Sequence, residues 1–289
     1  MAFIVQKYGG SSVRNAEAIR RVAEQIASTH QAGNQVVTAI SAMGDTTNDL
    51  FVLANELTSN PEPREMDMLL STGEVVSCAL LTMALQDLGE PAIGLNGSQA
   101  GIRTDALHRR ARIQAIDPTR IHHELDEGKI VIVAGFQGIT EEMDVTTLGR
   151  GGSDTTAVAL AAGLGAAACE IYTDVTGVYT ADPRLVAGAR KLRDLDYEEM
   201  AELASSGAQV LHTRAVELGW AYGVPILVAS SFDDVPGTLI HKGADMNANV
   251  GEIRNRVRGI ATDTNVAKIT VLGVIDRPGI AASLFEPLA

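Results

Sequence analysis

Aromatic residues are scarce in this chain: five Phe, five Tyr and one Trp, 4% of 289 residues. A core with so few rings must be filled by aliphatic and small side chains, and alanine, glycine and valine are frequent. That mixture suits parallel strands closely covered by helices better than an all-β sandwich. Cysteine is nearly absent as well. Cys78 and Cys169 lie in apolar surroundings (VVSCALL, AAACEIY), which predicts two buried thiols and excludes a disulfide framework. Positive charge is outnumbered, with 23 Lys and Arg against 36 Asp and Glu and a formal net charge of −13. This balance argues against a general nucleic-acid or acidic-membrane surface. Any anionic ligand must then be held by a few local cations and backbone amides. No uninterrupted apolar run reaches the ~18 residues of a spanning helix, and MAFIVQKYGG reads as a strand, not a secretion signal. A cytoplasmic protein with neither membrane nor nucleic-acid partner is expected.

What the chain does have is glycine placed after apolar strands. The stretch Thr146–Thr156 (TTLGRGGSDTT) holds three glycines in four positions, 149–152, and runs into the alanine-rich segment 157–165. Such glycines let backbone approach a ligand closely. Ser153 or Asp154 is an expected N-cap, leaving free N–H groups and the positive end of a helix dipole at the turn. Arg150 adds a planar cation that matches a carboxylate or phosphate, so Arg150, Gly151, Gly152 and Ser153 form a candidate anion site. A glycine-rich surface turn with a solvated arginine is the alternative reading.

A similar arrangement opens the chain. Residues 3–5 predict a strand leading into Lys7-Tyr8-Gly9-Gly10-Ser11-Ser12, followed by a helix with Ile19, Val22, Ala23 and Ile26 on one face. Backbone amides and Lys7 would meet phosphate oxygens there, although the order differs from that of the GxxxxGK[ST] loop. A second strand (35–41) ends at Ser41-Ala42-Met43-Gly44, and Thr46 with Asp49 fits a capping box. Ser71 with Glu74 fits another, which would give Glu74 a structural role. An acid inside an apolar stretch equally suits a ligand ammonium group. Residues 91–95 predict a short strand before a polar loop, and 119–127 a helix. His122 and His123 are adjacent there and point to different faces, which does not suit a metal site. Residues 129–134 (KIVIVA) read as a buried parallel strand ending in Gly135-Phe136-Gln137-Gly138. In open α/β sheets, ligands gather at the carboxyl ends of strands, where all these turns would lie.

Gly163 to Ala168 has dinucleotide-like spacing but closes a helix, so it reads as a C-cap. A strand (169–174) then leads into an irregular loop holding Tyr179, Asp182 and Arg184, either a solvated connector or a loop over a nucleotide. Helices over 197–205 and up to Tyr222, a strand over 224–230 and a short one after Pro236-Gly237-Thr238 complete this part. A polar linker is expected at 243–258, and 265–274 alternates as a half-buried strand before a turn and a helix at Ile280.

In order along the chain, KYGGSS (7–12), SAMGDTTN (41–48), STGE (71–74), TLGRGGSDTTA (147–157), YTDVTGVYTADPR (172–184) and GAQVLH (207–212) resemble the aspartate kinase family. The likeness covers residues 1 to about 240. VIDRPGIAASLFEPLA at the end resembles the opening of that family's regulatory ACT domain, cut off in its first helix. The resemblance implies an α/β fold, a three-layer αβα sandwich with a largely parallel central sheet, followed by an incomplete ACT-like βα segment. It divides the chain into a catalytic domain (1–242), a linker (243–258) and the start of an ACT domain (259–289).

It also implies transfer of the γ-phosphoryl group of MgATP to the side-chain carboxylate of L-aspartate, the first step toward lysine, threonine and methionine. Lys7, with Gly9 and Gly10, would meet the phosphates and the charge of the transition state, and Asp154 would orient Lys7. Thr47, Glu74, Arg150, Gly151, Gly152 and Ser153 would hold aspartate. Tyr8, Ser41, Thr173, Asp174, Tyr179, Asp182, Arg184, Gln209 and Val210 would line the nucleotide site. Many members carry lysine where this chain has Gln209, which offers hydrogen bonds but no charge. No protein metal site is implied, Mg²⁺ arriving with ATP. Partners would be the two substrates and other subunits, identical or ACT-containing. A nucleotide-binding assembly or sensor subunit, and a kinase for glutamate, acetylglutamate or a nucleoside monophosphate, are the competing readings.

Overall fold

Ile130–Ala134 (IVIVA) shows how the fold is built. These five residues form a strand buried on both faces. Ile130, Ile132 and Ala134 join one apolar cluster, whereas Val131 and Val133 join another. Alternate side chains of one strand therefore serve two cores, and helices must cover both faces of the sheet. The computed structural model describes residues 3–208, 210–243, 257–263, 266, 270–271, 273–274 and 277–286.

The elements, in order, are β1 (Phe3–Tyr8), α1 (Ala16–Gln31), β2 (Gln35–Ile40), α2 (Thr46–Leu57), α3 (Pro63–Asp87), β3 (Ala92–Leu95), β4 (Ile102–Thr104), β5 (Ile113–Ile116) and α4 (Thr119–Asp126). They continue with β6 (Ile130–Ala134), β7 (Gln137–Ile139), β8 (Val145–Thr147), α5 (Gly152–Leu164), β9 (Ala168–Thr173) and β10 (Asp194–Asp196). Then come α6 (Tyr197–Ser205), α7 (Thr213–Tyr222), β11 (Ile226–Ser230), β12 (Thr238–His241) and α8 (Ile280–Phe285). The main sheet has the order β10-β12-β11-β9-β1-β2-β6-β3 and is parallel except for the β11–β12 pair. One core packs α4, α5, α6 and α7 on one face, and the other packs α1 and α3 on the opposite face. This is the expected three-layer αβα sandwich.

The structure departs from the sequence reading in several places. Residues 96–118, read as a polar loop, and 137–147 together supply a second sheet of order β5-β4-β7-β8. The 25-residue α3 runs unbroken through Ser71 and Glu74, so these residues form no capping box. Thr46 lies inside α2 behind Asp45 and donates its hydroxyl to Met43 O, so that capping box is absent too. Helix α5 starts behind Gly151 in the left-handed region (φ 71°), and neither Ser153 nor Asp154 caps it. Among the described residues α3 alone is long and apolar enough to cross a membrane, but half of its most apolar stretch is packed inside the protein. Cys78 and Cys169 are free and buried, as expected. Most of the expected linker and half of the expected strand at 265–274 lie outside the described residues, the other half of that strand is irregular, and the helix from Ile280 is present as α8.

Candidate active site

Parallel pairing sets the ends of the central strands level. Tyr8 pairs with Ile40 and with Tyr172, Ile40 with Ala134, and Thr173 with Ser230. The turns that follow therefore emerge along one edge, at Gly9-Gly10, Ser41-Ala42, Gly135 and Asp174. They are also stitched together. Gly44 N–H donates to Gly10 O, Ser41 N–H to Tyr8 O, Gly135 N–H to Ile40 O and Gly9 N–H to Tyr172 O. At Gly10 a Cβ would come within 2.8 Å of Ala42 O, so only glycine fits.

The turn before α5 settles onto this edge. A Cβ on Gly135 would lie 3.1 Å from Ser153 Oγ, and one on Gly151 only 2.2 Å from the ring of His212. Asp154, in the first turn of α5, reaches across to β1: its Oδ1 is 2.6 Å from Lys7 Nζ, with both side chains almost buried. Lys7 is thus held at the site edge, where a Cβ on Gly9 would be 3.4 Å from its ammonium. Arg150 stands one helical turn before Asp154, exposed and without an ion pair among the described residues. Lys7 and Arg150 therefore flank one helix end.

Glu74 closes the other side. Gly73 lets α3 press against Ala42, with a Cβ there only 2.9 Å from Ala42 Cβ and 3.5 Å from Thr46. This places Glu74 below the 41–45 turn, and the half-buried Thr47 lies in the first turn of α2 that follows. Glu74 is 3% exposed; Oε1 accepts from Ala42 N–H at 3.2 Å, and Oε2 has no partner among the described residues. Burial pushes its carboxyl up to about 8, against lowering by the Ala42 hydrogen bond. A buried carboxylate with one vacant oxygen is matched by a ligand cation.

On the remaining side, Thr173 ends β9 beside Gly9 and Asp174 follows it, and Thr173 donates its hydroxyl to Asp174. Ser231, which the sequence reading passed over, donates to Thr173 O and lies 2.7 Å from Ser12 Oγ, joining the β11 end to the first turn. Tyr179 is hydrogen-bonded to Thr176 at 2.8 Å. Asp182 and Arg184 pair with each other at 2.8 Å, with Arg184 in solvent. Two of the expected nucleotide residues turn away from the edge. The ring of Tyr8 is fully buried and stacked on Tyr172 at 4.8 Å, and Val210 packs against the core. Gln209 lies outside the described residues.

With this geometry in hand, the comparisons are specific. The amino acid kinase family matches residues 2–230. The chain is 56% identical over 290 residues to the aspartokinase of Corynebacterium glutamicum, covering all of this chain and 68% of that one. The chain belongs to the amino acid kinase family, among its aspartokinases. The aspartate kinase structure from Synechocystis is 54% identical with a TM-score of 0.76, over 84% of this chain and 40% of that one. E. coli aspartokinase III, solved in complex with aspartate and ADP, is 28% identical with a TM-score of 0.76, over 84% of this chain and 65% of that one. This family membership identifies an ATP-dependent kinase.

Proposed function

We propose that this chain transfers the γ-phosphoryl group of ATP to the side-chain carboxylate of L-aspartate, giving 4-phospho-L-aspartate. The observation that carries the reading is the Lys7–Asp154 ion pair at the level strand ends, with the vacant oxygen of Glu74 facing the same set of turns. Phosphoryl transfer is mostly positioning and charge neutralisation, and a carboxylate acceptor needs no base to deprotonate it. Lys7, held by Asp154, would neutralise charge on the transferring group, assisted by the amides of the Gly9–Gly10 turn. Glu74 would take the substrate ammonium and Arg150 a carboxylate in a two-pronged contact, which selects an amino acid over a plain dicarboxylate. Thr47 and Ser153 would add hydroxyl contacts, and Thr173, Asp174 and the loop with Tyr179, Asp182 and Arg184 would flank the nucleotide.

Mg²⁺ belongs to the same proposal. Among the described residues no group of three His, Cys, Asp or Glu could cage an ion. The magnesium ion would be held chiefly by ATP phosphates and water. The domain division at 242 and 258, an oligomer with identical or ACT-containing subunits and a cytoplasmic location follow from the resemblance and stand as part of this reading; light scattering tests the oligomer.

The activity is tested by supplying MgATP and trapping the product with hydroxylamine. L-Aspartate should yield hydroxamate, and L-glutamate and succinate far less. Hydroxamate from glutamate alone would assign a different acceptor.

A further inference from the structure

Asp67 is fully buried on α3 and has no part in the chemistry above. Its carboxylate is nonetheless saturated. Arg109 N–H reaches both oxygens at 3.0 and 2.9 Å, the Thr147 hydroxyl donates to Oδ1, and His108 Nδ1 lies 2.8 Å from Oδ2. These partners come from β8 and from the loop between β4 and β5, both far from α3 in sequence.

What they hold is the turn carrying Arg150. Thr147 ends β8, three residues before Arg150. Arg109 sits in the left-handed region (φ 69°), and its carbonyl faces Gly149 so closely that a Cβ there would be 2.8 Å away. Asp67 therefore grips the Arg109 peptide by its N–H, while the carbonyl of the same residue bears on the glycine next to Arg150. The Arg109 guanidinium also lies over the Phe51 ring of α2, 5.6 Å from its centroid. On α3 itself, Asp67 and Glu74 are seven residues apart, so they share a helix face two turns apart. One buried carboxylate thus connects the helix that presents Glu74 to the turn that presents Arg150.

We propose that Asp67 is a positioning residue that fixes the span between Glu74 and Arg150, and through it the length of amino acid the site accepts. The inference rests on the roles proposed above for those two residues. Aspartate and glutamate differ by one methylene, so only a rigid span separates them well. An asparagine at this position keeps one acceptor oxygen but sets an NH₂ group against a donor N–H or hydroxyl, which loosens the grip.

The test compares wild type, Asp67→Asn and Thr147→Val by calorimetric binding of L-aspartate, L-glutamate and a non-hydrolysable ATP analogue. Asp67→Asn should weaken L-aspartate by about tenfold, the loss expected of a disrupted hydrogen bond to a buried charge. ATP-analogue affinity should stay within about twofold, and the preference for aspartate over glutamate should fall by about fivefold or more, within the range one methylene commands. Thr147→Val should shift the preference in the same direction by less. Equal weakening of both ligands, or an unchanged preference in the variants, overturns the proposal. If Asp67→Asn does not fold, Thr147→Val with wild-type selectivity overturns it as well. Because binding is read without turnover, a wild type that selects aspartate but forms no acyl phosphate removes the kinase reading and leaves this one standing.

Discussion

Glu74 and Lys7 illustrate opposite demands on a buried charge. Lys7 is paired inside the protein, whereas Glu74 keeps one oxygen without a partner among the described residues. With its carboxyl raised to about 8, Glu74 is neutral at lower pH and, in the role proposed for it, must ionise to take an ammonium group. Aspartate affinity should therefore rise as pH climbs through 7 to about 8, and Glu74→Gln should bind weakly and without that slope. Linkage gives the stability counterpart. A carboxyl whose folded value lies above its ordinary 4.5 favours folding most below 4.5 and loses that contribution as pH rises toward 8. Wild type should lose stability relative to Glu74→Gln between pH 5 and 8.5 in denaturant melts; parallel curves would contradict the burial argument. Arg150→Lys should weaken aspartate far more than ATP, since an ammonium cannot reproduce the planar fork; calorimetry with each ligand checks it. The sequence resemblance named the Lys7–Asp154 pairing, and glycine spacing placed Arg150. Spacing alone lets Ser71 and Glu74 pass for a helix cap, because it cannot reveal that α3 runs straight through both. Asp67 carried no local signal, since its partners lie 41, 42 and 80 residues away.

At the level of elements, the turn from Gly149 to Gly152 brings the parts together. Gly151 has φ 71° and leaves no room for a Cβ against His212. Gly151→Ala should cost roughly 1–3 kcal/mol of stability, from left-handed strain plus displacement of His212, and should weaken aspartate. Urea melts and aspartate titration measure both effects; a variant as stable and as tight as wild type would remove the geometric argument. Most elements were legible because they are long and periodic, such as α1, or short, apolar and bounded by glycine, such as β6. The second sheet was not, because β4, β5, β7 and β8 have only three or four residues each, too few for an alternation to register. The caps of α2 and α5 were misplaced for a related reason: Asp45 and Gly151 are set by tertiary fit, and neither supplies a side-chain hydrogen bond.

Over the whole molecule, one topological fact organises the site. β1 lies between β2 and β9, and β6 joins on the far side of β2, all four parallel. Their ends bring Lys7, the 41–45 turn above Glu74 and the loop after β9 to a single edge, within a chain whose net charge is −13. Two anionic reactants can meet on so acidic a protein only where local cations and backbone amides concentrate the opposite sign, the part proposed for Lys7 and Arg150. The hydroxamate rate at saturating MgATP and L-aspartate, measured side by side for wild type and Lys7→Ala, tests this most directly. The account predicts steady hydroxamate formation by wild type and a loss on the order of 10²-fold or more in the variant. A wild type that forms none, or a Lys7→Ala protein that turns over as fast, would contradict it.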